Sequence, residues 1–415
     1  MAGISENVKV ERMIQRIEAL ATCSSSVHGV TRLAFTDESE QANSLVSQWM
    51  CEAGMSVRRD EMDNVIGRYE GRRPDAPILL IGSHLDSVAK AGKFDGILGV
   101  ITGIEVVQTL FEHDIRLEHP IEIIGFCDEE GTRFHTTFLG SRAMTGSLTE
   151  SDFQCCDQNG MTLSDAMKKV GLEPMQYKLA ARDPKTILGY IELHIEQGPV
   201  LEEMDQSCGV VSGIVSQSRY TFQIEGLAGH AGTVPLPMRK DALAGAAEII
   251  QAIETIALQN PNLVATVGKL SVHPGASNVI PGEVEGTLDI RCMDERKKLE
   301  VLQVMIEASH QIADRRGLNC TFTKVMDSSP VNCCTQLTRT IQSVLEDYQM
   351  NSVPLVSGAG HDAMAMSSIT DVGMIFVRCK GGLSHHPDEY VSVEDIQMGA
   401  RVLLDVIFRL NQPSR

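Results

Sequence analysis

At 415 residues the chain is long enough for two or three domains, and its 43% hydrophobic and 22% charged residues provide a sizeable core and exclude general disorder or a collagen-like fibre. A net charge of −19 repels phosphate backbones and anionic lipid, which excludes nucleic acid and a membrane surface as partners. None of the eleven cysteines forms a C-x-x-C pair. Together with the odd count, the missing apolar stretch in MAGISENVKVERM and the lack of any apolar run of about 18 residues, this predicts a cytoplasmic protein.

From Val8 to Met55 the pattern predicts amphipathic helices. Met13, Ile17 and Leu20, then Ala42, Leu45, Val46, Trp49 and Met50, recur at intervals of three and four, with a helix start at Thr36-Asp37-Glu38. Ala76 to Gly82 (APILLIG) reads as a buried strand that delivers the polar Ser83-His84-Leu85-Asp86. Gly96 to Leu110 reads as a buried helix, and Pro120 to Phe126 as a second strand ending in Asp128-Glu129-Glu130-Gly131. Strand, helix and strand in alternation predict a largely parallel α/β sheet with its chemistry in the strand-end loops.

Near Val210 the texture changes. Tyr220 to Gly226, Ala265 to Gly268, Glu283 to Arg291 and Thr321 to Thr323 read as strands with polar alternate positions, and Arg239 to Ala257 and Lys297 to Arg316 read as helices. The expected architecture is an α/β domain of residues 1–210 and 328–415, interrupted by an α+β domain of residues 211–327.

Local sequence leaves the site residues open between chemistry and structure. His84 is either a structural histidine or a metal ligand whose other ring nitrogen Asp86 would orient. Asp95 is either a ligand aimed by Gly96 or the N-cap of the next helix. The consecutive carboxylates Asp128, Glu129 and Glu130 after a buried strand favour a cation, since neighbouring glutamates can divide into a ligand and a base. His194 stands in ELHIEQG with Gln197, His230 in GHAG, and His385 in GLSHHPDE. Asn278 could simply lie in a turn and Arg291 in a surface ion pair, or Arg291 could grip a substrate carboxylate. Gly360 and His361 lie in a glycine-rich turn assigned to the same cleft.

Taken together, GSHLDSV, GKFDG, DEEGTRF, ELHIEQGPVLE, GHAGT, SNVIPG, SGAGHDAMAM and GLSHHPDE, in that order, resemble the aminoacylase/carboxypeptidase-type dinuclear metallohydrolases. The likeness is to their ureido-hydrolysing branch of allantoate amidohydrolases, N-carbamoyl-L-amino acid hydrolases and ureidopropionases, and it runs from about Gly29 to Pro387. It implies a metallopeptidase-like α/β catalytic domain with an inserted α+β lid and dimerisation domain, and hence a homodimer. It also implies two divalent metal ions, manganese or zinc. Asp95 would bridge them, His84 and His194 would bind one on each side, Glu130 would hold one ion, and His385, chosen over His386 for the motif's spacing, would complete the other.

The same resemblance makes Glu129 the general base and His230 the oxyanion partner. Gln197 and Asn278 would contact polar groups of the substrate, and Arg291 its carboxylate. The expected reaction is cleavage of a ureido C–N bond with release of ammonia and carbon dioxide. SGAGHDAMAM, HAGTVP and VRCKGGLSH favour allantoate as substrate, with an N-carbamoyl-L-amino acid or N-carbamoyl-β-alanine as the alternative. His194 argues against a dipeptidase, and retention of Glu129 argues against a binding protein that has lost turnover.

Overall fold

The structure, a computed structural model, describes residues 3–411. Two compact units are present: one takes the chain up to Ser212 and again from Cys333, and the other is Gly213–Asn332. Sequence texture placed the two crossings at 210/211 and 327/328.

The first unit is built on a mixed sheet with a parallel centre. Ile78–His84 lies parallel to both Ile121–Phe126 and Ile187–Ile195, and Val372–Val377 lies parallel to Ile187–Ile195. Antiparallel strands flank this centre. Ser56–Arg59 and Val65–Tyr69 extend it on one side, and Cys208–Ile214 pairs with Val372–Val377 on the other. Every residue of Ile78–His84, Ile121–Phe126 and Val372–Val377 is buried, as expected of strands covered on both faces.

Helices do the covering. Val10–Ala21 buries Met13, Ile17 and Leu20. Asp37–Glu52 begins at Thr36, whose hydroxyl accepts the Ser39 amide at 3.3 Å while the Ser39 hydroxyl accepts the Thr36 amide at 2.9 Å, a reciprocal cap. Ile97–Glu112 is buried from Ile97 through Leu110 and approaches the sheet so closely that a Cβ on Gly99 would lie 2.2 Å from the Leu193 carbonyl oxygen. The segment between Phe126 and Ile187, for which no strand or helix is expected from sequence, packs its own core of Phe134, Leu139, Phe153, Leu163, Met167 and Tyr177.

Buried Arg32 joins the N-terminal region to the strand-end loops. Its guanidinium donates to the Leu85 carbonyl at 2.6 Å, the Leu20 carbonyl at 2.7 Å and the Cys23 carbonyl at 3.1 Å.

The second unit is an antiparallel sheet in the order Leu270–His273, Glu283–Cys292, Ser216–Glu225, Asn319–Ser328, with Leu263–Thr266 also paired to Glu283–Cys292. Alternate residues such as Phe222, Ile224, Val284 and Leu288 pack under the helices Ala242–Leu258 and Glu295–Arg316 to form a separate core. Polar alternate positions are left on the other face, as the sequence pattern predicts. Among the described residues no helix is long and apolar enough to cross a membrane, and none of the cysteines is in a disulfide.

Gly99→Ala is expected to lift the Ile97–Glu112 helix from the strand that carries His194. Denaturant unfolding should show a loss of about 1–3 kcal/mol, the usual cost of overpacking a well-filled core.

Candidate metal centre

The parallel strands deliver their functional residues to one end of the sheet. His84 is the last residue of Ile78–His84 and pairs in register with Phe126, two residues before Asp128. His194, near the end of Ile187–Ile195, pairs with Phe376 at the same end. This is the carboxyl end of the strands, where open α/β sheets place their ligand crevices. A cavity of about 430 Å³ opens among Leu79, Leu188, Gly189 and Leu337 at the start of the same strands, but it contains none of these groups.

Asp95 joins the centre. Its Oδ1 lies 3.3 Å from His84 Nε2 and 3.2 Å from His194 Nε2, while its Oδ2 lies 3.4 Å from His385 Nε2. Glu130 Oε1 is 3.5 Å from that same His385 nitrogen. Two ligand groups therefore share one carboxylate: His84, Asp95 and His194, then Asp95, Glu130 and His385. His84 and His194 fall in the same group, whereas the sequence resemblance set them on opposite sides. Glu129 also lies within ligand reach of His84 and Glu130.

The local backbone is adapted to this crowding. Gly96 takes a φ of 67°, and a Cβ there would lie 2.5 Å from the His84 ring. Gly96 is itself the N-cap of the following helix, with no side-chain cap, so Asp95 is not engaged in capping. Asp128, Gln197 and His385 all have φ values between 53° and 57°, a left-handed conformation that non-glycine residues adopt at a cost.

The hydrogen bonds around the centre fit a cation. His84 Nδ1 lies 3.1 Å from the Asp86 carbonyl and His194 Nδ1 lies 2.9 Å from the Ile195 carbonyl. A carbonyl can only accept, so each Nδ1 carries the proton and, in the neutral ring, each Nε2 turns a lone pair inward. Those two Nε2 atoms are 3.5 Å apart and both face Asp95 Oδ1. Buried Glu130 Oε1 accepts no hydrogen bond. Imidazole nitrogens and carboxylate oxygens that converge on one point, one of those oxygens without a hydrogen-bond partner, are the arrangement a divalent ion satisfies.

Electrostatics agree with this reading. Burial, then the Glu130 carboxylate, pushes the Glu129 carboxyl well above the usual range against the opposing pull of His84, and burial followed by Asp95 raises Glu130. Burial would also raise Asp95, but hydrogen bonds from His194, His385 and His84 overcome it and hold the group well below normal. Burial alone would lower His84, yet Asp95 and Glu129 raise it.

Asp86 anchors the carboxylate loop. Its Oδ1 accepts the Glu129 amide at 2.9 Å and its Oδ2 the Glu130 amide at 3.2 Å, while its carbonyl fixes His84. Gln197 donates from Nε2 to Asp95 Oδ2 at 2.8 Å, and its buried Oε1 has no partner. His361 is buried behind His194, with ring centroids 4.5 Å apart and its Nε2 2.7 Å from the Ser357 hydroxyl; Gly360 beside it is partly buried.

In the second unit, His230 pairs in register with Val279, and the Asn278 carbonyl accepts the Ala231 amide, which sets His230 and Asn278 side by side on exposed loops. The Arg291 guanidinium donates to both carboxylate oxygens of Asp289, at 2.8 and 3.1 Å.

Glu192 and Glu389 are among the buried carboxylates that lie outside the set expected from sequence. Glu192 accepts the Ser83 hydroxyl and the Ala363 amide, each at 2.9 Å, and Glu389 receives amides of the Asp95 loop. Both stand in the quoted motifs ELHIEQG and GLSHHPDE, so an acidic residue inside a ligand motif was the available signal.

Comparison with known proteins gives consistent matches over the whole chain. The model of peptidase family M20/M25/M40 matches residues 80–409. An N-carbamoyl-L-amino-acid amidohydrolase of Pseudomonas sp. (strain NS671) is 42% identical over 407 residues, covering 97% of this chain and 98% of that protein. Allantoate deiminase 1 of Glycine max is 38% identical over 432 residues, covering 97% of this chain and 89% of that protein. The crystal structure of an amidase of the hydantoinase/carbamoylase family from Burkholderia multivorans superposes with a TM-score of 0.90 at 34% identity, covering 98% of this chain and 99% of that one.

Asp86→Asn retains the shape of the side chain but turns an NH2 toward one of the two amides it now accepts. Competition with a chromophoric chelator is expected to show divalent-metal affinity reduced by about 10–100-fold, the usual effect of losing a partner that orients ligands.

Proposed function

The chain belongs to peptidase family M20/M25/M40 and is a hydrolase of non-peptide carbon–nitrogen bonds, and from that premise we propose that it removes the carbamoyl group of an N-carbamoyl-L-amino acid with two divalent ions, manganese or zinc. The observation that carries this reading is the division of Asp95, one carboxylate oxygen facing His84 and His194 and the other facing His385. Divalent cations held by these residues supply Lewis-acid polarisation of the ureido carbonyl and make a water acidic enough to attack it near neutral pH.

The protein's own groups carry the remaining steps. Glu129 takes a proton from the attacking water and returns it to the departing nitrogen, a role suited to a carboxyl whose proton affinity burial has raised. Gln197, with its unpartnered Oε1, offers an acceptor to the ureido NH2. The other roles rest on the family resemblance: His230 on the oxyanion, Asn278 against polar groups of the substrate, and Arg291 on its carboxylate; Gly360 enters the proposal only as part of the glycine-rich turn beside His361. His361, buried against His194, enters the proposal through that contact. The released carbamate breaks down to ammonia and carbon dioxide.

An N-carbamoyl-L-amino acid leads because the amidohydrolase relative that acts on this class shares more identity with the chain than the allantoate deiminase does, at equal coverage of the chain. Allantoate is the second reading, favoured by SGAGHDAMAM, HAGTVP and VRCKGGLSH. We further propose, on the family resemblance, that the inserted unit is a lid and the contact of a homodimer.

Ammonia release by protein reloaded with manganese or zinc is expected to give a kcat/KM for an N-carbamoyl-L-amino acid about tenfold or more above that for allantoate or N-carbamoyl-β-alanine. The reverse order would assign allantoate, and silence on all three would overturn the ureido reading. Glu129→Gln should retain its metal and lose about 10²–10⁴-fold in kcat; normal turnover would remove Glu129 from the mechanism. Light scattering is expected to give twice the 45.3 kDa chain mass.

A further inference from the structure

We propose that Glu389 is a positioning residue that latches the Asp95 loop to the His385 turn and thereby sets the affinity of the Asp95–Glu130–His385 group for its ion. The proposal rests on the two-ion reading above.

Glu389 is buried, and its carboxylate is used at both ends. Oε1 accepts the Phe94 amide at 2.9 Å and the Asp95 amide at 3.1 Å, while Oε2 lies 3.2 Å from the Ser384 hydroxyl. That hydroxyl is also 2.7 Å from Asp95 Oδ2, the oxygen that faces His385. The Glu389 amide donates to the His386 carbonyl at 3.0 Å and closes the turn that begins immediately after His385, whose own φ is 56°. A Cβ on Gly92 would lie 2.3 Å from the Glu389 Cβ, so the Asp95 loop passes against this side chain with no room to spare.

One carboxylate thus holds two ligand loops that are far apart in sequence, and it touches no ligand atom itself. The two ligand groups depend on it unequally. His84 and His194 are strand residues fixed by the sheet and by backbone carbonyls, whereas His385 is on a turn with its side chain 48% exposed. Loss of Glu389 leaves two buried amides without an acceptor and releases the turn, and that affects the second group.

Ser384 has a single hydroxyl proton, which it can give to Asp95 or to Glu389. In Glu389→Gln the carboxamide oxygen still accepts both amides and its NH2 donates to Ser384 Oγ, directing the serine proton to Asp95. The conservative variant is therefore expected to rescue the function of the latch.

The test is a cobalt(II) titration of chelator-stripped full-length protein, followed by visible absorption, with thermal unfolding of the metal-free proteins alongside. Wild type is expected to take two equivalents. Glu389→Ala should take the first within about threefold of wild type and the second about 10–100-fold more weakly, and Glu389→Gln should take both within about threefold. Undiminished binding of the second equivalent by Glu389→Ala overturns the proposal. So does equal weakening of both equivalents with a loss of metal-free stability, or weakening by Glu389→Gln as large as by Glu389→Ala. A wild type that takes fewer than two equivalents removes the two-ion reading, and the latch with it.

Discussion

Everything at the carboxyl end of the parallel strands is arranged around the buried carboxylate of Asp95. Two imidazole nitrogens approach one of its oxygens and a third approaches the other, with Glu129 and Glu130 close by. Burying like charges together costs several kcal/mol per ion unless positive charge offsets it. The surrounding features serve that constraint. Gly96 lets the chain pass the His84 ring, Asp86 takes up the amides of Glu129 and Glu130, and carbonyls fix the outer nitrogens of His84 and His194. Hydrogen bonds thus tie down the backbone where the side chains would otherwise repel one another apart.

Much of this was legible in the sequence, for a simple physical reason. A strand buried on both faces is written as an apolar run, and a loop that binds cations is written in histidine and carboxylate. APILLIG followed by Ser-His-Leu-Asp, and PIEIIGF followed by Cys-Asp-Glu-Glu, each state a strand and its functional end. The helix from Ile97, the inserted antiparallel unit and its two helices follow from periodicity in the same way. The grouping of His84 with His194 was not legible, because it depends on which strands are neighbours and in what register.

The unread parts share another cause. Ser56–Arg59 is a short, mostly exposed edge strand with no alternation to reveal it. Arg32, Glu192 and Glu389 look like surface charges by residue type, yet each is buried because its partners are supplied from distant parts of the chain. The bonds that cross between elements, Arg32 to Leu85, Glu192 to Ala363 and Glu389 to the Asp95 loop, have their two halves in no common local window. The Phe126–Ile187 segment is similar: its short helices close over Ala34, Phe35 and Met62, which come from well before it.

The split of the first unit has a consequence for the order in which the molecule can be made. Val372–Val377 lies in the sheet between Ile187–Ile195 and Cys208–Ile214, both of which leave a ribosome long before it. Until that strand arrives, Ile187–Ile195 is left with one unpaired edge, Cys208–Ile214 has no strand joining it to the sheet, and His385 and Glu389 are still to be translated. The inserted unit has a core of its own, whose burial does not wait for the rest. The strand that completes the sheet and the last of the candidate ligands are thus made almost together, ahead only of the helix Val393–Leu410 that packs on the same core.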